Sequence, residues 1–247
     1  MKIIGVIPAR YASTRFPAKA LADIAGKSMI QRVYEQCIKS NILEKVIVAT
    51  DHSKIFDHVK SFGGEVILTS ENHQSGTDRC FEVVTKLKEQ VDYVINIQGD
   101  EPFIKPEQIE LLGSCLADPT TQLATLIKKI EDKETLFNPN TPKVIFNQSN
   151  EAIYFSRSTI PFIRGVESEA WLIKNTFYKH IGIYAYRTDV LKEITSLSPS
   201  GLEKAEALEQ LRWIENGYKI KVAITEYESY GIDTPEDLAR IINLNIE

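Results

Sequence analysis

Much that would mark other classes of protein is missing from this chain. Cysteine is scarce, with Cys37, Cys80 and Cys115 the only three among 247 residues. They are odd in number, widely spaced and form no Cys-x-x-Cys pair, so they frame neither a zinc site nor a disulfide scaffold. They read as small core residues of a protein kept in a reducing compartment. Long apolar runs are missing as well. The opening MKIIGVIPAR is apolar over too few residues for a signal peptide or a membrane helix, and Arg10 follows at once. No other segment is long enough to span a bilayer, so a cytoplasmic location without membrane association is expected. There is no excess of positive charge. The net charge of −5 argues against general nucleic-acid binding, which needs a basic footprint. Internal repeats, low-complexity tracts and an obvious interdomain linker are also absent.

Two common nucleotide signatures are missing too. No Gly-x-Gly-x-x-Gly follows a strand-like run, which disfavours a dinucleotide-binding oxidoreductase. Residues 26–28 read GKS, the tail of a Walker A motif. Leu21 stands where that motif needs its first glycine, and the strand-loop-helix spacing is wrong. Gly26 reads instead as a turn ahead of a capped helix.

What remains is an ordinary globular composition, 43% hydrophobic and 26% charged, in a chain able to bury a sizeable core as one domain. Strand-like runs fall at 2–7, 45–49, 65–68 and 92–97, with helix-like segments near 28–39, 53–62 and 77–89 between them. Ser28 and Gln31 form a plausible capping box. Near-continuous apolar strands alternating with helices predict an α/β fold, with a parallel sheet covered on both faces. From 122 onward the pattern changes. Runs at 122–130, 143–147, 151–156 and 179–187 lack regular helices between them and predict a mixed or antiparallel extension. Residues 164–176 read as an excursion or lid. A helix over 203–216, a strand at 219–224 and a last helix from about 235, opened by Thr234-Pro235, complete the reading.

Ligands of such sheets sit at the carboxyl ends of the strands. The loop after the first strand, IPARYASTRFPAKAL, carries Arg10, Arg15 and Lys19 among Ala9, Ala12, Ser13 and Thr14. Small residues let backbone approach a ligand, hydroxyls and amides donate to phosphate oxygens, and Arg and Lys supply charge. The loop is thus either a phosphate grip or a solvated surface loop. INIQGDEPF ends a strand at Gln98-Gly99-Asp100, so Asp100 is either part of a turn or a carboxylate for Mg²⁺ beside phosphates. In YGIDTPEDL, Asp233 is either part of a helix start or a second metal carboxylate. HQSGTDR places Ser75 and Gly76 at a helix start whose free amides would face the same rim. Arg157, His180 and the pair Glu209-Gln210 are polar residues inside otherwise structural stretches. A lone histidine in an apolar strand is most often structural.

Taken in order, IPARYASTRFPAKAL, ATDH, HQSGTDR, INIQGDEPF, YFSRSTIPF, HIGIYAYR, LEQLRWIENG and GIDTPEDL resemble the 3-deoxy-manno-octulosonate cytidylyltransferases, or CMP-Kdo synthetases, from about Ile4 to Leu238. The resemblance implies a single Rossmann-like domain of the nucleotide-diphospho-sugar transferase type spanning 1–247. Its nucleotide-binding half would be about 1–120, and its sugar-binding and dimerisation half about 121–247. It implies a homodimer, Mg²⁺, and the reaction CTP + Kdo → CMP-Kdo + pyrophosphate, serving lipopolysaccharide synthesis. Carried over, Arg10, Ser13, Arg15 and Lys19 match the triphosphate loop. Ala9, Arg10, Ser75, Gly76 and Gln98 match positions that hold the nucleotide, with Gln98 also facing the sugar. Asp100 and Asp233 match the metal carboxylates, and Arg157, His180, Glu209 and Gln210 match the sugar-acid pocket. The alternatives are a cytidylyltransferase for another acidic sugar, such as sialic acid or 8-amino-Kdo, and a non-catalytic nucleotide-binding module. One departure stands out. The family's Pro-Gly-Lys-Pro is here Pro17-Ala18-Lys19-Ala20. Alanine takes positive φ less readily than glycine, so a shifted loop is expected.

Overall fold

A computed structural model of the chain describes residues 1–12 and 16–243. Ser13, Thr14 and Arg15 therefore lie outside the described residues. The elements, in chain order, open with β1 (Ile3–Ala9), a hairpin of β2 (Asp23–Ile24) and β3 (Lys27–Ser28), and α1 (Met29–Cys37). Then come β4 (Lys45–Thr50), α2 (Ser53–Ser61), β5 (Glu65–Leu68), α3 (Gly76–Lys86), β6 (Tyr93–Asn96) and α4 (Pro106–Ser114). The middle holds β7 (Leu123–Lys129), α5 (Lys133–Phe137), β8 (Lys143–Phe146), β9 (Ala152–Ser156) and α6 (Trp171–Lys174). The chain closes with β10 (Tyr178–Arg187), α7 (Thr188–Ile194), α8 (Gly201–Glu206), α9 (Gln210–Glu215), β11 (Ile220–Ile224) and α10 (Pro235–Asn243). The α/β class with a mostly parallel sheet and antiparallel strands is the one expected.

Two compact units share these elements. The first comprises 1–110, 185–195 and 229–247, the second 111–184 and 196–228. The chain thus returns to the first unit twice, which no single cut near residue 120 describes. Asp233 belongs to the same unit as Asp100 and the first loop. In the first unit β1 is central, paired in parallel with β4 on one side and β6 on the other, while β5 extends β4. Ile4, Val6 and Ile7 of β1 and Val48 and Ala49 of β4 are fully buried, the mark of strands covered on both faces. In the second unit β11 runs parallel to β7, whereas β8 pairs antiparallel with β9 and with β10. Among the described residues no helix is long and apolar enough to cross a membrane.

Several local expectations need correction. The Ser28 side chain accepts from the Gln31 amide, but the Gln31 side chain turns to Glu35 at 2.9 Å, so only half a capping box forms. The segment expected as one helix over 203–216 breaks into α8 and α9 at Ala207, which lies at φ 51° and ψ 49°. The physical cause is Arg157. Its guanidinium takes the carbonyls of Glu206 and Ala207 at 2.6 and 3.2 Å, which a continuous helix would have used itself. Residues 164–176 are an excursion with a short helix of their own. Trp171, 7% exposed, anchors it against Ile130, Leu136 and Phe177, and its indole donates to the Val166 carbonyl at 2.9 Å.

Candidate functional site

The first unit carries a cleft of about 450 Å³ at the carboxyl end of β1. It is lined by Ala9, Arg10, Lys19, Ser75, Gly76 and Gln98, together with Asp100 and Asp233, all of them expected from sequence. Ser13 and Arg15 lie outside the described residues.

Two carboxylates converge because each has an apolar neighbour that must be buried. Phe103, three residues past Asp100, and Ile232, one before Asp233, pack together with Ile24 and Met29. The Ile232 amide donates to the Asp100 carbonyl at 2.9 Å. Gly99 is required by the close approach of β1, since a Cβ there would lie 2.7 Å from the Pro8 carbonyl oxygen. The helix-start reading of the Asp233 segment holds. Thr234 caps α10 by accepting from the Asp237 amide at 3.1 Å, and the Asp237 carboxylate accepts from the amides of Asp233 and Thr234. The cap needs no help from the Asp233 side chain, which turns to Lys19.

The Lys19 ammonium donates to Asp100 Oδ2 at 2.7 Å and to Asp233 Oδ1 at 3.1 Å. Burial alone would lower the lysine pKa, but the two carboxylates outweigh it and raise the value. One point in space is therefore within bonding reach of both acids and already holds a positive charge. No cluster of three or more His, Cys, Asp or Glu suited to a metal occurs among the described residues. Two carboxylates around a cation-sized point still fit Mg²⁺, which takes one or two carboxylates and completes its shell with phosphate oxygens and water.

Lys19 reaches this position from a left-handed residue. Ala18 lies at φ 56° and ψ 28°, a left-handed conformation that glycine adopts more readily. Alanine bears the steric cost instead. At α3, Ser75 forms a full capping box with Asp78, which uses the amides of Ser75 and Asp78 at 3.2 and 3.1 Å. The helix start thus offers a ligand fewer amides than expected. Gly76 lies close to the Pro8 ring and to Asn96, a Cβ there falling 3.4 Å from each.

Sequence reasoning missed Tyr11, Asp51 and Arg79. Arg79, 1% exposed, pairs with Asp51 at 2.9 Å and also donates to the Thr69 hydroxyl. Asp51 Oδ1 accepts from the Tyr11 amide at 3.3 Å. The cue was available, since ATDH stands at the carboxyl end of β4, beside that of β1.

In the second unit His180 is half-buried, and desolvation of its ring pushes its pKa down to about 3. The Thr125 hydroxyl donates to the Ile183 carbonyl at 2.7 Å, so its oxygen accepts from His180 Nε2 at 3.0 Å. The ring is therefore the neutral Nε2–H tautomer, with Nδ1 as its acceptor. Gln210 is 5% exposed, and its Nε2 has no hydrogen-bond partner among the described residues. Glu209 immediately precedes α9. Arg157 donates to three backbone carbonyls, those of Pro139, Glu206 and Ala207.

A family model described as cytidylyltransferase matches residues 4–220. The 3-deoxy-manno-octulosonate cytidylyltransferase of Parabacteroides distasonis is 61% identical over 246 residues, covering 98% of this chain and 97% of its own. The protein of that name from Francisella tularensis subsp. tularensis is 50% identical, covering 97% and 96%. Among solved structures, CMP:2-keto-3-deoxy-manno-octonic acid synthetase complexed with CTP superposes with a TM-score of 0.91 at 43% identity, covering 99% of this chain and 98% of that one.

Proposed function

This chain belongs to the cytidylyltransferase family, and from that premise we propose that it activates 3-deoxy-manno-octulosonate with CTP, giving CMP-Kdo and pyrophosphate. The observation that carries the reading is the Lys19 ammonium held between Asp100 and Asp233 in the cleft at the end of β1.

In this reading the first unit holds CTP. Ser75, Gly76 and Gln98 position the nucleotide, and Arg10 and Lys19 face its phosphates. The anomeric hydroxyl oxygen of the sugar forms a bond to the α-phosphorus while the bond from that phosphorus to the α–β bridging oxygen breaks. The electron pair leaves with pyrophosphate, and the hydroxyl proton passes to solvent. Lys19 offsets the charge that grows on the leaving group. Asp100 and Asp233 are the residues that would hold Mg²⁺. When bound, the ion supplies charge neutralisation at the phosphates and acidifies the attacking hydroxyl. In the second unit the neutral His180 offers Nδ1 as an acceptor for a sugar hydroxyl. Gln210 offers a buried amide that a sugar oxygen satisfies. Glu209 accepts from a hydroxyl, and Arg157 is the cation available to the sugar carboxylate. A homodimer in the cytoplasm, supplying lipopolysaccharide assembly, completes the proposal.

The test is pyrophosphate release with a panel of nucleotides and acidic sugars. Turnover confined to CTP with Kdo supports the reading. Turnover confined to sialic acid or 8-amino-Kdo moves the substrate, and CTP binding without turnover on any sugar leaves a nucleotide-binding module.

A further inference from the structure

The ATDH segment has no part in the function proposed above, yet it holds an ion pair placed where stability gains little from one. Arg79 is 1% exposed and the Asp51 side chain 11%. Desolvating two charges to this degree largely cancels their attraction, and an apolar pair of similar volume would serve the core as well. What the pair does instead is visible in its remaining bonds. One Asp51 oxygen takes the Arg79 guanidinium at 2.9 Å, and the other accepts from the backbone amide of Tyr11 at 3.3 Å. The Tyr11 carbonyl in turn accepts from the Ala18 amide at 3.2 Å. Ala18 is the left-handed residue directly before Lys19. Tyr11 thus ties together the outgoing and returning ends of the loop that carries Arg10 and Lys19. Its ring is clamped to the same segment, stacked on His52 with centroids 3.9 Å apart and with its hydroxyl accepting from Lys54 at 3.3 Å.

We propose that the buried Asp51–Arg79 pair positions the β1–β2 loop for nucleotide binding, acting through the backbone of Tyr11. The pair is a positioning device: Asp51 reaches the ligand only through Tyr11 and Ala18, and Arg79, which also lines the cleft, acts here through Asp51. A charged pair suits this task because a carboxylate has two oxygens. One is fixed by the arginine on α3, and the other then presents a lone pair in a set direction to the amide. The inference rests on reading the first unit as a nucleotide site.

The experiment compares wild type with Asp51→Asn, Tyr11→Ala and Val59→Ala. CTP affinity is measured by calorimetry, and amide exchange at Tyr11 and Ala18 by NMR. Asp51→Asn should weaken CTP by at least about tenfold and speed exchange at both amides by a similar factor. Tyr11→Ala leaves the buried pair alone and should weaken CTP by about threefold with little change in Tm. Val59→Ala, a truncation of a fully buried α2 residue, should lower Tm yet leave loop exchange and CTP affinity as they are. Wild-type CTP affinity and loop exchange in Asp51→Asn, with only Tm reduced, would overturn the proposal. So would equal loosening in Val59→Ala. Failure of wild type to bind CTP would instead overturn the nucleotide reading, and the exchange comparison would still decide whether the pair holds the loop.

Discussion

The amide of Ile232 donates to the carbonyl of Asp100 at 2.9 Å, and through it two carboxylates more than a hundred residues apart in sequence meet at one ammonium group. If these acids hold Mg²⁺, removing either charge while keeping its shape should abolish most turnover and spare the fold. Asp100→Asn and Asp233→Asn are each expected to lose ~10² or more in kcat, with an unchanged circular dichroism spectrum and CTP binding partly kept. Turnover near wild type in Asp100→Asn contradicts the metal role.

The Lys19 ammonium lies between the two carboxylates, so it competes with a divalent ion for that position. Lys19→Met should therefore bind Mn²⁺ without nucleotide more tightly than wild type does, by about tenfold, while turnover falls. Electron paramagnetic resonance of free Mn²⁺ measures this. Equal affinity in the two proteins counts against the competition.

Ala18 and Ala207 both sit in the left-handed region. An L-residue there costs roughly 1–2 kcal/mol that glycine avoids, partly offset by glycine's greater freedom in the unfolded chain. Ala18→Gly and Ala207→Gly should each stabilise the protein by about 0.5–1 kcal/mol, a thermal shift of about 2–4 °C at most. By contrast, Gly99→Ala drives a methyl group into the Pro8 carbonyl. It should destabilise by about 1–3 kcal/mol and cost activity as well, because Asp100 moves with it.

His180 makes the second unit acid-sensitive. Its folded pKa, about 3 through burial, lies below the unfolded value near 6.5. Between those values the unfolded chain holds the extra proton. Stability is therefore complete above about pH 6.5 and falls as pH drops toward 3, by up to about 1.4 kcal/mol per unit. Urea midpoints measured from pH 7 to 4 should fall less steeply in His180→Gln than in wild type. Parallel slopes would mean that the histidine is not held neutral.

Gln210 gives a prediction of opposite sign for stability and function. Its Nε2 is buried without a partner among the described residues, which costs about 1–3 kcal/mol. Gln210→Met should therefore match or exceed wild-type stability while raising KM for Kdo and leaving KM for CTP unchanged. A fall in stability with both KM values unchanged would make the glutamine structural.

Much of this was legible in the sequence for definite reasons. Apolar runs at strand spacing marked β1, β4 and β6, and the strand-end rule then placed Lys19 and Asp100 on one rim. Asp233 could be linked to them only by resemblance, because a helix start explains Asp-Thr-Pro-Glu equally well and the Ile232–Phe103 packing is tertiary. The break at Ala207 was hidden because periodicity reports a face, whereas Arg157, fifty residues earlier, takes the carbonyls that would have continued the helix. Asp51 and Arg79 were hidden because an ion pair leaves no periodic trace. Only the three-dimensional neighbourhood shows an arginine buried behind the loop.

The proposed reaction transfers the cytidylyl group to the anomeric oxygen of Kdo. ³¹P NMR of the protein with CTP, Mg²⁺ and Kdo tests it most directly. Pyrophosphate and a single new CMP phosphodiester signal should rise in equal amounts, and neither should appear without Kdo or with Asp100→Asn. Pyrophosphate formed without the phosphodiester, or no change in protein that binds CTP, would contradict it.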